Sequence, residues 1–82
     1  MDVIKYTRHA KRRMKLYNIS IMDVENALNN FDEAFTTQDD THIILKRFGE
    51  RFKGMIIKII YLIENNKKII LSAYPLKKSY KR

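Results

Sequence analysis

The sequence predicts an α+β domain in which two N-terminal helices pack on one face of an antiparallel sheet of three or four strands. Two observations carry this prediction. Apolar residues recur at helical spacing between residues 8 and 31, and beyond residue 33 they form strand-like blocks interrupted by turn residues. The 82 residues show no linker or repeat and only just suffice for one hydrophobic core. We therefore predict a single domain over residues 1–82.

Two helices are predicted at the start of the chain. The first covers residues 8–17, between an N-cap at Thr7 and a left-handed stop at Asn18. The segment "SIMD" has the residues of a capping box, so a second helix should begin after Ser20 and end near "LNNF". The apolar face of the second helix consists of Ile21, Val24, Leu28 and Phe31.

Four candidate strands follow the helices. They are "EAFTT", "THIILKRF", "GMIIKIIYLI" and "KIILSAYP", separated by the turn segments "QDD", "GER" and "ENNK". The third is the most apolar and is predicted to be central, and the short loops favour an antiparallel meander. Strict alternation along the last strand places Ile69, Leu71 and Ala73 on one face and Lys68, Ile70, Ser72 and Tyr74 on the other.

The formal net charge of +8 is unevenly distributed along the chain. Residues 16–45 contain none of the 17 lysines and arginines but six of the nine acidic residues. The basic residues concentrate in the first helix, in residues 46–58 and in the tail 77–82. Solubility alone would not require this separation, whereas it builds a local field that attracts phosphate. We therefore favour nucleic acid or another polyanion as a partner.

The composition argues against several classes of site. Without cysteine there is no disulfide or thiolate metal site, and His9 and His42 are too far apart in sequence to suggest a structural zinc. The acidic residues are scattered, which argues against catalysis by paired carboxylates. We expect no metal and no cofactor. No apolar run is long enough for a membrane span and no signal peptide is recognisable, so we expect a cytoplasmic protein without membrane contact.

Metal-independent cleavage of RNA needs only histidine, arginine or lysine, and tyrosine. A base removes the proton of the ribose 2′-hydroxyl, that oxygen attacks the adjacent phosphate, and an acid protonates the leaving 5′-oxygen. His9 suits the base or acid role because the pKa of histidine lies near neutrality. Arg13, one helical turn away on the same rim, suits the phosphate because its planar guanidinium can bind two oxygens. Tyr74 would orient the substrate or stack against it.

Each candidate also has a simpler structural explanation. His9 is equally consistent with a residue that caps or packs at the helix rim, and the stem of Arg13 could pack on the core. Tyr74 could be a packing aromatic, and His42 is most simply a surface residue of a strand. The residues expected to contact RNA or phosphate are Arg12, Lys46, Arg47 and Lys58, with Lys78 and Tyr80 in a tail that is either a solvated end or a base-stacking segment.

The segment "TRHAKRRMKLYNISIMDVENAL" resembles the opening of a family of small bacterial and archaeal proteins of unassigned function. The shared pattern is His-Ala, Arg-Met four residues later, then Ile-Ser and Asp-Val before a second helix. The segment "ILSAYP" resembles the closing strand of that family. The family is in turn similar to the RelE/ParE and BrnT-type toxins of toxin–antitoxin systems.

The resemblance implies a RelE-like fold and a metal-independent endoribonuclease that acts on RNA, often messenger RNA. It implies His9, Arg13 and Tyr74 as the positions of the site, with Tyr80 as the alternative to Tyr74. The implied partners are RNA, with or without the ribosome, and an acidic antitoxin that neutralises the toxin. Two other functions are kept as alternatives: a non-catalytic module that binds RNA or the ribosome, and a protein-interaction module on the same fold.

Overall fold

The computed structural model describes residues 3–76, apart from the side chains of residues 50 and 51. The elements in chain order are β1 (Val3–Tyr6), α1 (Arg8–Tyr17), α2 (Ile21–Asn29), β2 (Glu33–Thr36), β3 (His42–Arg47), a short 3-10 helix (Gly49–Phe52), β4 (Ile56–Glu64) and β5 (Lys67–Pro75). The α+β class and both helices are confirmed. Among the described residues, neither helix is long and apolar enough to cross a membrane. The candidates Lys78 and Tyr80 lie outside the described residues.

The ends of α1 are set by the two predicted residues. The Thr7 hydroxyl accepts a hydrogen bond from the Ala10 N–H (3.0 Å) and donates one to the Ile70 carbonyl (3.0 Å). Thr7 therefore caps α1 and also ties its start to β5. At the other end, Asn18 adopts the left-handed conformation (φ 59°) that asparagine tolerates better than most residues.

The start of α2 is a capping box, as predicted. The Ser20 hydroxyl accepts from the Asp23 N–H (3.1 Å), and the Asp23 carboxylate accepts from the Ser20 N–H (2.8 Å). The predicted apolar face of α2 is confirmed only in part. Val24 and Leu28 are buried, whereas Ile21 and Phe31 are 55% and 47% exposed. Helical spacing does not apply to Phe31, because α2 ends before it.

The sheet has five strands in the order β1-β5-β4-β3-β2, with β4 central as predicted. The prediction of three or four antiparallel strands is wrong in two respects, because β1 adds a fifth strand and because it pairs parallel with β5, so the sheet is mixed. Only four residues form β1, and its hydrogen-bonding partner lies at the other end of the chain. A strand this short becomes stable only through that long-range pairing, which local sequence patterns do not report.

The helices cover one face of the sheet, which we call the inner face. Its apolar side chains Ile44, Ile57, Ile59, Ile70 and Ala73 are at most 1% exposed. They form one core cluster with residues of both helices, among them Ala10, Met14, Val24 and Leu28. The hydrophobic core therefore lies between the inner face and the helices.

Opposite Ile60 and Tyr61 of β4 the register shifts, because β5 carries an extra residue, Leu71, between Ile70 and Ser72, and this breaks the alternation of β5. Ile59 pairs with Ala73 and Tyr61 pairs with Ile70, so Ile70 and Ala73 share the inner face although they are three residues apart. The predicted assignment of these two residues to opposite faces is wrong. A β-bulge of this kind inserts one residue between paired positions. The residue types of β5 do not predict it.

Candidate nucleic-acid interface

The face of the sheet opposite the helices, which we call the outer face, carries rows of paired residues. One row runs through Glu33, Leu45, Lys58 and Tyr74 on four successive strands. Directly paired residues place their side chains on the same face, so these four side chains are neighbours. The apolar and basic side chains of the outer face are Val3, Lys5, Phe35, Ile43, Leu45, Arg47, Ile56, Lys58, Ile60, Leu62, Lys67, Ile69 and Tyr74.

Two cations approach the ring of Tyr74. The guanidinium carbon of Arg13, on α1, lies 5.5 Å from the ring centroid, and the Lys58 ammonium, on the neighbouring strand β4, lies 5.8 Å from it. Both distances are within the range of cation–π attraction. We call Arg13, Lys58 and Tyr74 the Tyr74 cluster. The structure thus brings together two residues that were expected to act on RNA and one expected to contact it.

The β-bulge places Tyr74 on the outer face. Tyr74 follows Ile70 by four residues, so unbroken alternation would put both side chains on the same, buried face. The extra residue moves Tyr74 to the face of Lys58, with which it pairs. Because β1 pairs only with residues 67–70, it leaves residues 71–75 of β5 without a fifth strand beside them. The next element, α1, packs against β5 and carries Arg13 to the ring.

The charges of the Tyr74 cluster are not neutralised within the described part of the chain. Among the described residues no carboxylate lies within ion-pair distance of Arg13 or Lys58. Arg47 adds a third positive charge on the same face, one row along from Lys58. Its guanidinium donates a hydrogen bond to the Gly54 carbonyl (2.9 Å), which holds the side chain in place. Arg13 and Lys58, without a matching acid among the described residues, create a local field that favours an anion, whereas Arg47 has the Asp32 carboxylate bound to its own N–H.

The other candidates are spread more widely. His9 lies one turn before Arg13 on α1, is exposed, and makes no hydrogen bond or ring contact with another described residue. Arg12 is also exposed on α1. Lys46 pairs with the buried Ile57, so its side chain lies on the inner side of the sheet, opposite to Arg47. The structure therefore separates two neighbouring residues that were considered together as phosphate contacts.

Sequence reasoning did not find the direct pairing of Lys58 with Tyr74. Lys58 is noticeable in the sequence because it interrupts an apolar strand, and Tyr74 because it precedes the proline of the last strand. Their pairing depends on the register between β4 and β5, and that register contains the β-bulge. No local signal in either strand would have supplied it.

A second group of aromatic and basic residues lies on the helix side of the sheet. The rings of His42 and Tyr61 are stacked with centroids 5.0 Å apart, and the Lys68 ammonium lies 5.8 Å from the Tyr61 ring. Burial raises the pKa of Tyr61. Burial and, to a smaller extent, the negative charge of Glu25 raise the pKa of Tyr6. Both tyrosines keep their protons at neutral pH, and neither belongs to the outer face.

A pocket of about 350 Å³ opens at one end of the outer face, at the margin near β2. It is lined by Asp32, Glu33, Leu45, Arg47 and Ile56. Within the part of the chain that the structure describes, no group of three or more His, Cys, Asp or Glu side chains is arranged to hold a metal ion.

Comparison with known protein families places the chain in one of them. Residues 6–75 match the model of the DUF4258 family, a domain of unknown function. The match covers most of the chain and includes α1, α2, Arg13, Lys58 and Tyr74, so the protein belongs to this family. Neither the search of curated proteins nor the search of solved structures gave a match.

Proposed function

We propose that this protein is a toxin-type, metal-independent endoribonuclease that binds RNA at the Tyr74 cluster. The observation that carries the proposal is the convergence of Arg13 and Lys58 on the ring of Tyr74 without a neutralising carboxylate among the described residues. Arginine and lysine supply phosphate contacts, and tyrosine supplies a ring on which a base can stack. The separation of charge along the chain and the toxin-like sequence pattern point in the same direction.

In the proposed reaction Arg13 and Lys58 bind the scissile phosphate. The bond between the 2′-oxygen and phosphorus forms while the bond from phosphorus to the 5′-oxygen breaks, which leaves a 2′,3′-cyclic phosphate and a 5′-hydroxyl. His9, on the helix that carries Arg13, accepts the 2′-hydroxyl proton or protonates the leaving oxygen. The two cations stabilise the additional negative charge of the pentacoordinate phosphate. Arg47, and Arg12 on α1, contact neighbouring phosphates.

Non-catalytic binding of RNA or of the ribosome is the second candidate function. It is favoured by the exposure of His9, which makes no hydrogen bond with another described residue and is therefore not oriented as a general base usually is. In either case the activity belongs to a cytoplasmic protein, and an acidic antitoxin neutralises the toxin form.

Expression in a bacterial host tests the proposal, with growth and the 5′ ends of total RNA followed together. We expect the wild-type protein to arrest growth and to create new 5′-hydroxyl ends. Arg13→Ala should abolish both effects, because it removes the phosphate contact that α1 brings to Tyr74. Lys15→Ala is the matched control, since it removes one positive charge from an exposed position of the same helix.

Binding measurements on the purified variants distinguish the two candidate functions. An RNA that carries 2′-deoxy positions cannot be cut and reports binding alone. His9→Ala should retain binding and lose cleavage if His9 transfers a proton. Normal growth and intact RNA with soluble wild-type protein, combined with tight RNA binding, would favour the second candidate. Equal growth arrest by Arg13→Ala and wild type would show that the site is wrong.

A further inference from the structure

The pocket at the β2 margin of the outer face has a mixed lining. Two carboxylates, one guanidinium and two apolar side chains surround a volume of about 350 Å³; they belong to Asp32, Glu33, Arg47, Leu45 and Ile56. Pockets that bind small molecules have volumes from about 300 Å³ upward and combine apolar walls with a few polar groups. This pocket lies at the lower end of that range, which suits a ligand of the size of one nucleobase.

The two carboxylates of the pocket differ in what they contact. The Asp32 carboxylate accepts a hydrogen bond from the Arg47 N–H (2.8 Å), and the Asp32 N–H donates one to the Leu45 carbonyl (2.8 Å). Asp32 therefore fastens the start of β2 to β3. The Glu33 carboxylate makes no hydrogen bond or ion pair with another described residue. Glu33 is thus the acceptor of this pocket that is available to a ligand.

The guanidinium of Arg47 lines the same pocket without an ion pair to either carboxylate. Within the described part of the chain, its one hydrogen bond goes to the Gly54 carbonyl (2.9 Å). A guanidinium carries five N–H donors, so most of them remain available. A carboxylate and a guanidinium that line one cavity without pairing suit a ligand that offers both N–H donors and an anionic group.

The position of Glu33 connects this pocket with the Tyr74 cluster. Glu33, Leu45, Lys58 and Tyr74 form one row across four strands. Neighbouring strands lie about 4.8 Å apart, so two strand spacings separate Glu33 from Lys58 by about 10 Å. A negative charge at this distance opposes the binding of phosphate by Lys58. A carboxylate in this position has a use in RNA binding only if it contacts the N–H donors of a base.

We propose that this pocket binds a guanine base of the RNA, with the Glu33 carboxylate accepting hydrogen bonds from the N1–H and N2–H groups of the base. Leu45 and Ile56 form the apolar wall beside the ring, and Arg47 contacts a neighbouring phosphate of the same strand. Glu33 is then the residue that determines base specificity. This inference deepens the proposed function and rests on it, because it requires that RNA lies along the outer face.

Guanine fits a carboxylate better than the other bases of RNA do. It presents two adjacent N–H donors on its Watson–Crick edge, and a carboxylate has two oxygens that accept them as a pair. Uracil has one N–H between two carbonyl oxygens, which a carboxylate would repel. Adenine and cytosine each place an acceptor nitrogen beside their amino group. A pair of matched hydrogen bonds of this kind discriminates between bases by about fivefold or more.

The test compares fluorescein-labelled RNA oligonucleotides that are uridine tracts with one variable position. That position carries guanosine, inosine, adenosine or uridine, and 2′-deoxy sugars prevent cleavage. In fluorescence anisotropy we expect the wild-type protein to bind the guanosine oligonucleotide about tenfold more tightly than the uridine one. Inosine lacks the 2-amino group and should bind about threefold more weakly than guanosine, because one hydrogen bond to Glu33 is lost.

Glu33→Gln separates base recognition from charge. Glutamine has nearly the same shape but only one acceptor oxygen and no charge, so the advantage of guanosine over uridine should fall to about twofold or less. The affinity for the uridine oligonucleotide should stay the same or rise, because a negative charge has left the outer face. Misfolding would weaken binding of both oligonucleotides, so the ratio of the two affinities reports recognition alone.

Glu64→Gln is the matched control. Glu64 is exposed, pairs with Lys67 on the outer face, and lies at the opposite end of β4 from the pocket residue Ile56. Its replacement changes the net charge by the same amount, so the affinities for all four oligonucleotides should change alike and the advantage of guanosine should remain. If both variants lose that advantage equally, the effect is one of charge and the proposal is overturned.

Guanosine 5′-monophosphate distinguishes failure of the pocket from failure of the proposed function. Equal and tight binding of the four oligonucleotides by wild-type protein would support RNA binding and overturn the guanine pocket. Binding of guanosine 5′-monophosphate, lost in Glu33→Gln, with no binding of any oligonucleotide would support a pocket for the free nucleotide and overturn the proposed function. No binding of either probe by wild-type protein, shown to be folded by circular dichroism, would overturn both.

Discussion

The two faces of the β-sheet differ in what covers them, although β4 supplies isoleucines to both. Ile59, on the inner face, is 0% exposed and packs in the core with residues of both helices, whereas Ile60, the next residue, is only half-buried. The inner face is almost entirely apolar where the helices cover it. The outer face combines apolar side chains with Arg47, Lys58 and Tyr74. The first face forms the hydrophobic core with the helices, and neither described helix covers the second.

This difference shows how one strand, β4, contributes to two different surfaces. Side chains of the inner face are fixed by packing, so each has many neighbours within the protein and little freedom to change. Among the described residues, side chains of the outer face have most of their neighbours within the sheet, and Arg13 of α1 beside Tyr74 is an exception. Substitutions on the inner face should therefore affect folding, and substitutions on the outer face should affect binding.

The largest expected effect contrasts the two neighbouring isoleucines of β4. Ile59→Ala should lower the free energy of unfolding by about 3 kcal/mol, because it leaves a cavity in the core as well as removing apolar contacts. Ile60→Ala should lower it by about 1 kcal/mol, since the side chain is only partly removed from water. Urea denaturation of both variants measures the difference. Similar losses in the two variants would mean that the outer face is as well packed as the inner one.

A smaller effect, on the affinity for RNA, is expected when either of two neighbouring basic residues of β3 is replaced. Arg47→Gln should weaken RNA binding about fivefold, the equivalent of about 1 kcal/mol, and reduce the slope of log K against log salt by about 0.7. Lys46→Gln should weaken it less, because Lys46 lies on the inner side of the sheet. Anisotropy titrations at several salt concentrations measure both quantities. A larger effect of Lys46→Gln would place the RNA on the helix side.

The smallest expected effect concerns stability in alkaline solution. The pKa values of Tyr6 and Tyr61, on the inner face, are raised in the folded protein, mainly by burial. Below about pH 10 both tyrosines are protonated in the folded and unfolded states, and above it the unfolded chain ionises first. The free energy of unfolding should therefore fall as the pH rises above 10. Tyr61→Phe should reduce this fall, and a spectroscopic titration of the tyrosines follows the ionisation directly.

Much of the local structure was predictable because it depends on residues close in sequence. Thr7, Asn18 and the Ser20–Asp23 capping box define the helix ends through contacts that span at most five residues. The two-residue turn at Asn65 and Asn66, both with positive φ (54° and 65°), likewise follows from residues that tolerate this conformation. Such local signals do not depend on contacts with distant parts of the chain.

The individual residues of the candidate site were predictable from the sequence, but their assembly into one cluster was not. Arg13, Lys58 and Tyr74 were each candidates, yet their assembly depends on the pairing of β4 with β5, on the β-bulge that turns Tyr74 outward, and on the short β1 that leaves room for α1 beside β5. Lys46 shows the converse case, since it was grouped with Arg47 by sequence and separated from it by the pleat of β3.

The sequence by itself determined the α+β class, the two helices with their caps, the central position of β4 and the separation of positive from negative segments. These features depend on composition, periodicity and local hydrogen bonds. The tertiary structure decided the parallel pairing of β1, the face on which each residue of β5 lies, and the contact of two cations with one tyrosine. These features depend on strand register, because a shift of one residue moves every following side chain to the other face and no local interaction specifies where that shift occurs.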